Sequence, residues 1–170
     1  MNYNSNYSLD DFYIPQNTPI WNKNFLESMI AFLKKYKSVN DEIANKRPFT
    51  EFLLEIEEAY RLFLNKINDL PTIMKCRVKG DDNAHFGGQE CADFAKSLRI
   101  SAEKYLKSTN LKKDNTNKSY DFALKIRDKA RTDEQTAKNI EYEVYNEYLS
   151  LGKDRTLDAL KKEGYLFQNN

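Results

Sequence analysis

His85 is the only histidine in the chain, so any step that moves a proton on an imidazole must use it. Cys76, Asp81, Asp82, Glu90 and Cys91 lie around it, residue types that ligate metals or, for cysteine, attack as thiolates. As a zinc site the order Cys76, His85, Cys91 lacks the close ligand pairs of structural sites and offers no fourth ligand of suitable spacing. A single histidine also excludes a two-histidine metal site or a pair of histidine bases within one chain. A cysteine nucleophile with His85 as its base has no visible orienting group or oxyanion donors. The metal candidates are therefore Cys76, His85 and Cys91, with no cofactor expected. The default reading of the two cysteines is a pair of buried small hydrophobes with reduced thiols.

Gly87-Gly88 before a helix is the kind of step that cradles phosphate. Here Asp81, Asp82, Glu90 and Asp93 surround it and repel an anion, and helix N-termini favour acids in any case. The phosphate reading is set aside.

Charge is the second source of chemistry. The whole chain carries 27 basic and 26 acidic residues, a net charge of +1, which predicts no global attraction to nucleic acid or to a membrane. Basic residues nevertheless cluster. Between residues 96 and 131 stand Lys96, Arg99, Lys104, Lys107, Lys112, Lys113, Lys118, Lys125, Arg127, Lys129 and Arg131, against only Glu103, Asp114, Asp121 and Asp128. Lys75, Arg77 and Lys79 add a short alternating basic segment. Such a hairpin can track a phosphate backbone, with steep salt dependence, or meet an acidic protein surface. Equally, its lysines can solvate exposed helix faces and pair with acids on neighbouring helices, Glu141, Glu143 and Glu147 among them. Aromatic platforms for stacking on single strands are sparse, limited to Tyr105, Tyr120 and Phe122.

The elements that must position these groups read as helices. With 5 glycines and 4 prolines in 170 residues, the composition suits long helices, and the length suits one domain with a real core. From Pro48 to Leu70 apolar residues fall on two interleaved series: Phe49, Ile56, Phe63 and Leu70, and Leu53, Tyr60 and Ile67. Alternating steps of four and three make this the seam of a helix packed on other helices, and Phe52, Ala59 and Leu62 widen it toward a bundle face. This helix is expected to organise the rest. Pro48 suits its first turn, Thr50 is a candidate cap with Phe49 stapled onto Leu54, and Pro71 is expected to end it.

Residues 1–22 read as an extended aromatic arm, interrupted by Pro15 and Pro19, with Tyr7, Phe12, Tyr13 and Trp21 as rings that lie on the bundle or dock on a partner. Residues 23–170 read as the bundle. A first helix is expected over about 24–37, and a short turn over 41–46 carries Ile43 inward. Residues 71–88 break the pattern, and the alternation of Met74, Cys76 and Val78 predicts an irregular or short-strand insertion closed by Gly80-Asp81. A third helix spans about 89–107 with a small-residue face of Ala92, Ala95 and Ala102. From Lys118 to Leu151 the helical period resumes. Its weak alanine seam and the capping-box spacing of Thr132 and Gln135 predict a break near Arg131, although one long rod fits as well. Gly152 stops it and a last short helix follows.

The expected architecture is an all-α bundle of five to six helices. No secretory signal and no membrane-length apolar run is apparent, so the expected location is cytoplasmic, with no membrane partner. The leading functional expectation is a non-enzymatic binding protein, such as an inhibitor, immunity, adaptor or assembly subunit, that acts through its surface on another protein. The alternatives are nucleic-acid binding through residues 96–131, and an enzyme or metal site in 76–91. Homodimerisation would bury any surplus of the broad seam.

Overall fold

The computed structural model describes residues 20–35, 46–81, 84–108 and 118–162. Among them are five helices and no strand: α1 (Ile20–Lys35), α2 (Lys46–Val78), α3 (Gly88–Ser108), α4 (Lys118–Leu149) and α5 (Lys153–Lys162). The protein is an all-α bundle. The proposed aromatic arm with Tyr7, Phe12 and Tyr13, the turn around Ile43, Lys112 and Lys113 in the 109–117 connection, and the C-terminal Tyr165 to Phe167 lie outside the described residues. Residues 20–22, Trp21 included, belong to α1 and not to an arm.

The seam on α2 is the core. Phe49, Phe52, Ile56, Phe63, Ile67 and Leu70 are all buried. Two changes to the expected helix stand out. It begins at Lys46, so Thr50 lies inside it and caps nothing. Phe49 then packs edge-on against Tyr105 and Phe122, at ring separations of 5.5 and 5.7 Å, instead of stapling the helix start. At the other end α2 runs straight through Pro71 to Val78, and the expected strand there does not form. An interior proline costs about 3 kcal/mol. Against that, Met74 and Val78 continue the seam by steps of four and are essentially fully buried. Burial of two such side chains contributes about 1.5–3 kcal/mol each, enough to carry the helix past the proline. The alternation that resembled a strand is thus the i, i+4 spacing of Met74 and Val78 seen with an exposed Cys76 between them.

Gly80 is what stops α2. It takes a φ of +108°, while its amide donates to the Arg77 carbonyl and the Asp81 amide reaches back to the Cys76 carbonyl at 3.0 Å. That is the double hydrogen-bond closure of a helix ended by a left-handed glycine. Among the described residues the irregular segment shrinks to 79–81 and 84–87.

α3, not α2, is the central element: it packs on α1, α2 and α4, and its interface with α4 is the most extensive of the bundle. Both helices present small side chains there, with Ala92, Ala95 and Ala102 on one and Ala123, Ala130 and Ala137 on the other, all buried. Small residues let two backbones approach closely, so the alanine seam that predicted a break in α4 is a tight interface. α4 is unbroken from Lys118 to Leu149. Thr132 caps no new helix, since its hydroxyl donates to the Asp128 carbonyl one turn back at 3.3 Å. Gly152, at φ +87°, ends the α4 region as expected. α5 is then held by Thr156, whose hydroxyl donates to the carbonyls of Tyr148 and Gly152.

Candidate functional site

The chemistry-bearing residues converge at the N-terminus of α3, where α1, α3, α4 and residues 84–87 meet. Glu141, in the C-terminal third of α4, turns its carboxylate toward that helix end. Its oxygens accept the Phe86 amide at 2.8 and 2.9 Å and the Gln89 amide at 3.2 Å. The first amides of a helix have no partner within the helix, and a carboxylate satisfies both their hydrogen bonding and the positive end of the dipole. Gly88 permits this approach. A Cβ at that position would fall 2.5 Å from the Glu141 Cβ and 2.6 Å from the Ala137 carbonyl oxygen.

Asn22 closes the junction from α1. Its side-chain amide donates to the Gly87 carbonyl and to the Cys91 sulfur, both at 3.2 Å, and the side chain is fully buried. Cys91 is buried beneath it, and burial holds the thiol well above its ordinary pKa, which disfavours the thiolate. Burial likewise raises the carboxyls of Glu90 and Glu141. Gly87 itself takes φ +102° with Asn22 and Leu70 pressed against it, a backbone that only glycine adopts without strain.

The sequence-derived metal set is separated by this arrangement. Cys91 is buried and Cys76 is exposed on α2, which also corrects the expectation that both thiols are buried. Among the described residues no group of three or more His, Cys, Asp and Glu side chains is placed to hold a metal. Sequence reasoning singled out His85, Cys91 and Glu90 here and missed the structural roles of Asn22 and Glu141. The signal was present. Asn22 stands four residues before Leu26, and Glu141 four after Ala137 and three before Val144, so each is a polar residue on a buried stripe.

The basic hairpin is largely paired within the chain. Arg99 Nε donates to Glu134 at 3.1 Å, and Arg131 lies 3.3 Å from Glu103, two pairs that stitch α3 to α4. Lys104 reaches Glu55 on α2 at 2.6 Å, Lys125 pairs with Asp121, Arg127 with Asp128 and Lys129 with Asp133. Hydrogen bonds from Arg99 and Lys138 outweigh the effect of burial on Glu134 and hold its carboxyl below the ordinary range. In the other basic segment, the Arg77 guanidinium lies 4.1 Å above the Tyr145 ring, while Lys79 is exposed and Lys75 half-buried. Lys96 and Lys107 are exposed. The anticipated pairing partners Glu143 and Glu147 are exposed on α4, and the pairs that form use other acids.

Among the described residues, hollows open between helices. One, of about 310 Å³, lies between α1 and α4 over Phe25, Ala137 and Ile140, with Asn24, Ser28 and Thr136 on its rim. Another, of about 50 Å³, lies between α2 and α3 and includes Leu62, Phe63, Glu90 and Phe94. Among the described residues no helix is long and apolar enough to cross a membrane. No family model matches the chain, and comparison with curated proteins and with solved structures returns no match.

Proposed function

We propose that this protein is a non-enzymatic binding protein that presents helical surface to a protein partner. The observation that carries this reading is the pair Leu62 and Ile100. They are 53% and 49% exposed; Tyr142 and Leu151 are the other exposed large hydrophobics among the described residues. Two cross-helix contacts, Lys66 with Asp93 and Lys104 with Glu55, fix one antiparallel register between α2 and α3. Leu62 shares the α2 stripe of Glu55 and Lys66, and Ile100 the α3 stripe of Asp93 and Lys104, so both apolar side chains stand on the face that these two contacts mark. Single exposed apolar residues are ordinary, whereas two on one face beside a hollow suit an interface core.

Two further features support the reading. Two groups that could do chemistry are engaged in structure, Glu141 bound to backbone amides and Cys91 sealed beneath Asn22. Arg99, Lys104, Lys125, Arg127, Lys129 and Arg131 of the hairpin are each matched by a carboxylate, which weakens the field available to a phosphate backbone. The test is recovery of the tagged chain from its native cell with nuclease treatment. A stoichiometric protein that stays bound after nuclease and at raised salt is the expected result. Co-purifying nucleic acid whose binding collapses as salt rises would replace this reading with the hairpin alternative.

A further inference from the structure

The hollow of about 310 Å³ between α1 and α4 has apolar walls that the described helices do not cover. Phe25 packs against the core rings of Phe63 and Phe94, at centroid separations of 6.2 and 6.3 Å, yet like Ile140 it remains only half-buried. The rim is neutral and polar, through Asn24, Ser28 and Thr136. The carboxylate on the lining, Asp133, is paired with Lys129 at 3.0 Å, and Lys129 also donates to the Ser28 hydroxyl at 3.1 Å, so the hollow presents no unbalanced charge to select a charged guest. It suits an apolar one. A cavity of about 150 Å³ takes up one benzene ring, so this volume accommodates roughly two groups of that size.

We propose that the occupant is this chain's own segment 12–14, with the Phe12 ring and the Ile14 side chain inserted between α1 and α4. Phe12-Tyr13-Ile14 is the first apolar run upstream of α1, separated from Ile20 by Pro15-Gln16-Asn17-Thr18-Pro19. The two prolines disfavour helical backbone there, and in extended backbone positions 12 and 14 fall on one side. Length permits the return. The lining residues of α1 stand four to eight positions past Ile20, roughly 6–12 Å along the helix axis, while the stretch from Ile14 to Ile20 spans up to roughly 20 Å when extended. A tether of this length supplies its apolar run at an effective concentration of about millimolar, which favours it over an untethered competitor. The hollow belongs to α1 and α4, whereas Leu62 and Ile100 belong to α2 and α3, so this inference stands apart from the surface-binding reading.

NMR on the full chain reads the contact directly. NOE cross-peaks are expected between the Phe12 ring protons and the methyl groups of Thr136 and Ile140, together with an upfield ring-current displacement of the Ile140 methyls. This measurement needs no variant. In Phe12→Ala combined with Ile14→Ala the Ile140 methyls should move back downfield and the amides of Asn24, Phe25 and Ser28 should shift, whereas Tyr7→Ala should leave all of them in place. Cross-peaks between the Phe63 and Phe94 rings, whose centroids lie 4.9 Å apart, report the fold independently and are expected in every form. Absence of the Phe12 cross-peaks in the wild type, or Ile140 methyls unmoved in the double variant, would overturn the proposal. So would cross-peaks that arise only between differently labelled chains in a mixed sample, because they would seat the segment of a second copy in the hollow.

Discussion

Gly88 and Glu141 touch so closely that α3 and α4 meet there backbone to backbone, with room for no side chain at position 88. The Cβ of Gly88→Ala would meet Cβ, Cα and carbonyl atoms, none of which can swing aside. The substitution should cost about 3 kcal/mol of stability, at the upper end for overpacking. Urea denaturation followed by circular dichroism measures it, and a loss below about 0.5 kcal/mol, the range of neutral surface changes, would show that the helices do not cross at this point.

Glu141→Ala leaves the Phe86 and Gln89 amides without their acceptor. The expected cost is about 2–3 kcal/mol, because removing one partner strands polar groups that are partly withdrawn from water. Glu141→Gln keeps one acceptor oxygen and should lose about half as much. Hydrogen exchange adds a local readout: faster exchange at Phe86 and Gln89 is expected in the alanine variant, with the centre of α2 unchanged.

The two buried carboxyls give a pH dependence of definite sign. Burial raises Glu90 and Glu141 above their ordinary 4.5, so the folded chain holds protons there that the unfolded chain has released. Their contribution to stability is full below the unfolded value and is lost as pH rises through the folded one. Glu134, lowered by Arg99 and Lys138, acts the other way: its contribution is present above the unfolded value and is lost as pH falls. Glu90→Gln removes one group of the first kind. Its stability relative to wild type should therefore increase as pH is raised from 4.5 toward neutrality, measured as the difference in denaturation midpoint. A difference that stays flat or falls would contradict the burial of Glu90.

Stitching of α3 to α4 by Arg99 and Glu134 predicts a coupling that single substitutions reveal. The pair is mostly buried and directly hydrogen bonded at 3.1 Å. A double-mutant cycle of Arg99→Met and Glu134→Gln should return about 1–3 kcal/mol of interaction, whereas the exposed Arg61 and Glu58 pair should return well under about 1 kcal/mol.

The seam of α2 and the small face of α3 were legible in the sequence because burial repeats at helical spacing. The course of α2 beyond Pro71 was not. A local rule about proline competes there with tertiary burial of Met74 and Val78, and only the fold reveals how much surface those two side chains lose. The same limit explains the missed continuity of α4, where alanines look weak until the matching alanines of α3 are seen opposite them. At the α3 N-terminus, His85, Glu90 and Cys91 drew attention as chemical types, but Asn22, which bonds Cys91, and Glu141, which accepts the Phe86 and Gln89 amides, lie 50 or more residues away along the chain. Sequence proximity carries no information about such pairings. Leu62 was read as widening the core stripe, and its 53% exposure shows that the apolar stripe is wider than the face α2 buries.

The most direct test of the central claim, that this exterior and not the region of His85 carries the biology, is the affinity of the purified protein partner for three forms of the chain, measured by calorimetry. Wild type and His85→Ala are expected to bind alike, and Leu62→Glu combined with Ile100→Glu to bind at least about tenfold more weakly, a loss of about 1.4 kcal/mol or more. Loss of binding on His85→Ala with the double glutamate variant unaffected would contradict the account.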